Sequence, residues 1–217
     1  MHAVVTRNPF ETHEEGQVNE YPEARTAIPR ILELAATRSP LVVAIDGRSG
    51  SGKSTLAIHA ASQLGATLID QDDFYTGGTL DDWRHLSSRQ KADRVIDWRR
   101  VRAEVLLPLR AGATARWHPF DWEKLDGLAP VPIEADPSPI VILDGAYSAR
   151  PELADLIDLS ILVTLPDDVR RARLAQREGE DLTLEWQAVW DEAEAYYFGT
   201  VRPPEAFDLV IDRPGDA

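Results

Sequence analysis

Residues 41–54 read Leu41-Val42-Val43-Ala44-Ile45-Asp46-Gly47-Arg48-Ser49-Gly50-Ser51-Gly52-Lys53-Ser54, and the order of residue types in this stretch decides the fold. The first five residues form a short, continuous apolar run, the pattern of a strand covered on both faces. The segment Gly47–Ser54 fits G-x-x-x-x-G-K-[ST] with nothing left over. Glycines let the backbone curl so that successive N–H groups point inward at phosphate oxygens, and the helix after the loop adds the positive end of its dipole. By accident the pattern should arise on the order of once in a hundred chains of this length, and here it also sits between a strand and a helix. Lys53 is placed to bridge β and γ phosphates, and the Ser54 hydroxyl to ligate magnesium. The expected phosphate cradle comprises Gly47, Arg48, Ser49, Gly50, Ser51, Gly52, Lys53, Ser54 and Thr55.

Outward from the cradle, strands and helices alternate. Upstream, Ile28, Ile31, Leu32, Leu34 and Ala35 predict an amphipathic helix from Pro22 to Arg38, ended by Pro40. Residues 1–21 are polar and aperiodic, as in a loose arm. Downstream, Lys53–Leu64 reads as a helix closed by Gly65, and Ala66–Ile69 as a strand running into the acidic cluster Asp70–Asp73. Gly77–Ser88 is turn-rich and expected at the surface. Arg89–Arg110 predicts one helix kinked near Pro108, Ala113–Trp122 a strand, and Pro130–Pro139 a connector. Ile140–Leu143 and Leu159–Leu165 read as buried strands, Pro166–Glu178 and Leu184–Phe198 as helices, and Phe207–Ile211 as a closing strand. This order predicts a single α/β domain of the P-loop NTPase kind, with a parallel sheet of about five strands flanked by helices.

Composition narrows the function classes. A net charge of −14 over 217 residues, with acids interspersed among the bases, lacks the basic face that nucleic acid requires. There is no cysteine, so disulfides, thiolate metal sites and cysteine nucleophiles are excluded. No apolar run approaches the roughly 20 residues of a membrane span, and residues 1–12 lack the marks of a signal peptide. A cytoplasmic protein without nucleic-acid or membrane partners is expected, and an oligomer is compatible with the sequence. Only Lys53, Lys91 and Lys124 among the 23 basic residues are lysines, and one of them falls in the cradle.

The only asparagines, Asn8 and Asn19, precede the cradle, so a guanine-reading N-K-x-D sequence is absent and a GTPase switch is excluded. Motor and transporter ATPases are normally larger or carry signatures of their own. The acidic cluster favours a metabolite kinase. Ligands of open α/β sheets bind beyond the carboxyl ends of the strands, where a carboxylate can take the proton of an attacking hydroxyl or support magnesium. The plainer alternative is a turn with solvated aspartates. Asp144, closing the strand Ile140–Leu143, has the Walker-B arrangement, with a simple turn residue as its alternative. Arg173 and Arg177 share a helix face at i, i+4; the competing reading is a solvated basic face paired with Glu178 and Glu180.

On these residues the chain resembles the uridine–cytidine kinases, with phosphoribulokinase and bacterial pantothenate kinase as more distant relatives. The resemblance runs from about Val42 to Ile211. It is carried by the cradle, Gln71-Asp72-Asp73-Phe74-Tyr75, Phe120-Asp121-Trp122, Ile142-Leu143-Asp144-Gly145, the arginine-bearing helix from Arg170, and Phe207-Asp208-Leu209-Val210-Ile211. It implies ATP and Mg2+ as cofactors and a small hydroxyl-bearing metabolite as acceptor. Asp72 takes the place of the catalytic acid, Tyr75 of a substrate-pocket aromatic, and Asp144 of the acidic residue supporting the metal with Ser54. Arg173 and Arg177 correspond to lid arginines. The implied layout is an arm and leading helix over 1–39 and a kinase domain over 40–217, with an acceptor-binding insertion at 76–135 and a lid at 166–182. A nucleotide-binding regulatory protein with weak hydrolysis is the competing class.

The resemblance weakens in the acceptor region. Where the family carries a tyrosine and a histidine that bond the pyrimidine, this chain has Phe120 and Leu125, neither able to donate a hydrogen bond. His118 is nearby but in a different register. Asp97, ahead of Asp93, is the expected ribose-gripping acid, and Asp121 corresponds to a family aspartate. Four of six tryptophans, Trp83, Trp98, Trp117 and Trp122, fall in the acceptor segments, where indole faces suit a base, a sugar or a cation as well as plain core packing. Trp186 and Trp190, at i, i+4, read as core.

Overall fold

The structure, a computed structural model, describes residues 22–178 and 184–213. The expected arm at 1–21 and the end of the lid, including Glu180, lie outside the described residues. Helix α1 spans Pro22–Ala35, strand β1 Leu41–Asp46, helix α2 Lys53–Leu64 and strand β2 Thr67–Asp70. Short helices α3 (Leu80–Arg84) and α4 (Ser88–Arg94) come next, then α5 (Trp98–Arg100) running through a π-helical stretch, Val101–Leu106, into α6 (Leu107–Arg110). Strands β3 (Ala115–Trp117), β4 (Ile133–Ala135), β5 (Ile140–Asp144) and β6 (Leu159–Thr164) precede helices α7 (Asp167–Glu178) and α8 (Leu184–Tyr196), and β7 (Leu209–Asp212) closes the fold.

Five strands form one sheet in the order β2-β5-β1-β6-β7, and every pairing in it is parallel. β1 lies between the strands reached on one side and those reached on the other, so the loop leaving its carboxyl end opens at the switch point where such sheets bind ligands. Each residue of β1 is buried, as the unbroken apolar run predicts. Ala27 and Ile31 of α1 and Leu56, Ala57 and Ala60 of α2 pack on one face with Val43, Ile45 and Ile142. The other face carries Val42, Val141 and Leu143 against α8 and the elements between β2 and β5. No helix among the described residues is long and apolar enough to cross a membrane.

Local differences from the sequence reading have identifiable causes. α1 stops at Ala35, three residues before Arg38. The segment 77–88 is not simply turn: α3 starts in a capping box of Thr79 with Asp82, and its Trp83 is fully buried. The single helix over Arg89–Arg110 is two, because Asp97 accepts from the N–H groups of Arg99 and Arg100 and so starts a new helix. The strand expected over Ala113–Trp122 shrinks to β3, which pairs antiparallel with β4 inside the supposed connector.

Candidate active site

The cradle starts from a buried carboxylate. Asp46, the last residue of β1, accepts from the N–H groups of Gly47 (2.8 Å), Tyr147 (2.8 Å) and Ala149 (3.0 Å) and from the Tyr197 hydroxyl (3.0 Å). Burial outweighs these four donors and pushes its pKa up to about 6. The residue ties β1, the loop after β5 and the end of α8 to one point. Gly47 (φ 154°) leaves this anchor where a Cβ would come within 2.5 Å of the Val163 carbonyl oxygen, so no other residue fits. The Oγ of Ser51, buried within the loop, has no hydrogen-bond partner among the described residues. A buried orphan donor in a curled Gly/Ser loop at a helix N-terminus fits a phosphate oxygen.

Arg48 and Ser49 hold the loop from outside. The Arg48 guanidinium pairs with Asp167 (2.9 Å), Asp191 (3.0 Å) and Glu194 (3.3 Å), so its side chain is committed to α7 and α8. Glu194, 2% exposed, accepts from the Ser49 N–H (2.9 Å) and Oγ (2.6 Å). Arg170 donates to Ser49 O (3.0 Å) and to Asp191 (2.7 Å), and at 1% exposure it is a strut beneath the loop, not a solvated helix residue. Glu194→Ala would take a buried carboxylate from the half-buried Arg48 and the buried Arg170, with an expected loss of about 3 kcal/mol of stability. Glu194→Gln keeps an acceptor for Ser49 and should lose less. Chemical denaturation of both variants checks that order, and equal losses would contradict it.

On the open side, Arg173 and Arg177 line a cavity of about 300 Å³ together with Gly50, Gly52, Thr55, Leu174 and Arg213. The sequence-predicted lid arginines and the cradle are thus brought together. Lys53 and Ser54 stand half-buried in the first turn of α2.

The acidic cluster sits at the ends of β2 and β5. Asp70 and Asp144 are register partners across the two strands, and Asp144 also faces Ile45 of β1. Desolvation first, then the charges of Asp72, Asp73 and Asp144, hold Asp70 well above the usual carboxylate range. Mutual repulsion of this kind is relieved by a cation. Among the described residues no group of three or more His, Asp or Glu is arranged to hold a metal alone. Ser54 and Asp144 each offer a hard oxygen donor, the chemistry that suits a magnesium ion completed by nucleotide phosphates and water. Asp72 is the exposed member of the cluster. Asp70 Oδ1 caps the Asp72 N–H (2.9 Å), and Asp73 accepts from Trp117 Nε1 (2.9 Å), its pKa pushed up to about 6 chiefly by burial.

The acceptor residues divide into two groups. Tyr75 stacks with Trp83 (6.0 Å, 13°) and with Trp122 (5.4 Å, 12°), and makes T-shaped pairs with Phe120 (4.9 Å) and Trp190 (5.8 Å). Four aromatic rings therefore crowd the Tyr75 ring. Trp117 is tied to Asp73, and His118 Nδ1 bonds Ala129 O (2.9 Å). Asp97 caps a helix, and Asp121 is held by Lys124 (2.7 Å). Leu125 lies on a turn at φ 55°, 61% exposed, so it walls no pocket. Sequence reasoning missed Asp46, Glu194 and Asp191. Asp46 had a signal, a carboxylate closing an apolar run, whereas nothing local distinguishes Glu194 from its acidic neighbours.

The fold and the cradle make this chain a P-loop protein, and in sequence and architecture it resembles the uridine kinase-like P-loop kinases. The uridine kinase of Brevibacillus brevis is 29% identical over 174 residues, covering 76% of this chain and 77% of that relative. The uridine kinase-like protein 5 of Arabidopsis thaliana is 26% identical over 203 residues, covering 84% of this chain but 41% of the relative's length. Among solved structures, one assigned as a fructose transport system kinase from Silicibacter sp. TM1040 superposes with a TM-score of 0.64 at 24% identity, over 88% of this chain and 99% of that one. No family model matches the chain.

Proposed function

We propose that the chain is an ATP-dependent kinase that transfers the γ-phosphoryl group to a hydroxyl of a small molecule. The observation that carries this reading is the cavity in which the loop glycines meet Arg173 and Arg177, at the carboxyl end of a sheet whose next strands end in Asp70 and Asp144. A protein that only sensed nucleotide would need the cradle but no proton acceptor beside it.

The roles come from the chemistry of each group. Backbone N–H groups of the loop and Lys53 hold the phosphate chain. Magnesium, held by Ser54, Asp144 and the nucleotide, would offset charge on the β and γ oxygens. The Asp72 carboxylate accepts the proton of the acceptor hydroxyl. The hydroxyl oxygen bonds the γ-phosphorus as the bond to the β–γ bridging oxygen breaks, and ADP leaves. Arg173 and Arg177, on the lid at 166–182, spread charge from the transferring group, a contribution worth about 10³-fold or more in comparable enzymes.

The insertion at 76–135 is the acceptor site in this reading, and its acceptor is not uridine or cytidine, or is one of them only at poor efficiency. Phe120 offers no hydrogen bond, Leu125 is exposed, His118 Nδ1 is engaged with backbone, and Tyr75 is packed against Trp83 and Trp122. A base-reading pocket without such bonds loses several kcal/mol of discrimination. Steady-state kinetics with uridine and cytidine at saturating ATP and magnesium test this. A kcat/KM of about 10⁴ M⁻¹s⁻¹ or above for either nucleoside would overturn the acceptor reading.

A further inference from the structure

One wall of the cavity beside the cradle comes from the far end of the chain. Arg213 directly succeeds β7, and its N–H donates to Thr164 O (3.0 Å) at the end of β6. Its side chain then lies across the loop: Nη1 is 3.5 Å from Ser51 O, and a Cβ on Gly52 (φ 91°) would meet that nitrogen at 1.9 Å. Arg213 so lines the cavity together with Arg173, Leu174 and Arg177. Its Nε forms an ion pair with Glu23, in the first turn of α1. Glu23 is 9% exposed, and α1 is packed on α2, β1 and β7, so this carboxylate has a fixed place.

We infer that Glu23 is a positioning residue for the nucleotide, holding Arg213 against the nucleoside end of bound ATP. The inference rests on the kinase function proposed for the chain. The positive end of α2 lies beside the cavity that Arg213 lines, and it repels a cation there. Glu23 offsets that repulsion, and its bond to Nε fixes the plane of the guanidinium fork. The target is the nucleoside and not the phosphates, because the cavity's lining includes the apolar side chain of Leu174 as well as guanidinium groups. Guanidinium planes and a leucine side chain offer flat cationic and apolar faces that suit stacking on a base. Inorganic tripolyphosphate supplies phosphates for the cradle but no base for these faces to stack on.

Calorimetric titration of the full chain with magnesium and either ATP or inorganic tripolyphosphate tests this. Glu23→Gln and Arg213→Gln should each weaken ATP binding about tenfold, leave tripolyphosphate within about twofold, and lose no more when combined. Melting curves establish that each variant is folded. Arg213→Gln changes no residue of α1 and keeps a hydrogen-bond donor for Glu23, so it carries the test if Glu23→Gln loses stability. ATP binding unchanged in either folded variant, or an equal loss of tripolyphosphate, would overturn the inference. Wild-type protein that binds tripolyphosphate but not ATP would overturn it together with the kinase reading.

Discussion

Lys53→Ala is expected to abolish measurable phosphoryl transfer, a loss of about 10³-fold or more in kcat/KM, while the protein stays folded. The side chain opens α2 at the mouth of the cradle and takes no part in the core, which α2 reaches through Leu56, Ala57, Ala60 and Ala61. Removing it deletes a flexible cation placed to track the γ-phosphoryl from ATP to acceptor. Backbone N–H groups still cradle the α and β phosphates, so nucleotide affinity should fall less than turnover. Melting temperature and steady-state kinetics on the same preparation separate the two effects. Near-wild-type turnover would remove the loop from the reaction.

Asp72→Asn is the second large effect. A general base within hydrogen-bond reach of its proton contributes about 10²–10⁴-fold, so kcat should fall roughly 10²-fold or more with ATP affinity little changed. The structure separates Asp72 from its neighbours. Asp70 spends Oδ1 on the Asp72 N–H, Asp73 holds the Trp117 indole, and both are driven upward in pKa by burial. Asp72 alone of the three is exposed. A larger kcat loss from Asp73→Asn than from Asp72→Asn would move the base to Asp73.

The sheet was legible in the sequence because its strands are covered on both faces, which forces unbroken apolar runs such as Leu41–Ile45 and Ile140–Leu143. The cradle was legible because its backbone path admits few residues: Gly47 has no room for a Cβ. The elements between β2 and β5 were read less well, since they are short and fixed by contacts distant in sequence. Trp83 looked like part of a surface turn, yet it is buried under Tyr75 and Trp190. β4 hides among prolines and is a strand only because β3 pairs with it. The acidic struts Asp191 and Glu194 were invisible for another reason. Their partners, Arg48, Ser49 and Arg170, come from other elements, and no spacing rule links them.

The central claim is that ATP is consumed in order to phosphorylate a hydroxyl, and the rate of ADP formation against a panel of acceptors tests it most directly. The panel should contain nucleosides, sugars and amino alcohols, each with saturating MgATP and with water alone as reference. The kinase account predicts that at least one acceptor raises ADP release about tenfold or more above the water rate, with an equimolar phosphomonoester appearing by phosphorus NMR. Asp72→Asn should remove that stimulation. ADP formation that no acceptor changes, with inorganic phosphate as its only co-product, would contradict the account and leave a nucleotide-hydrolysing regulatory protein in its place.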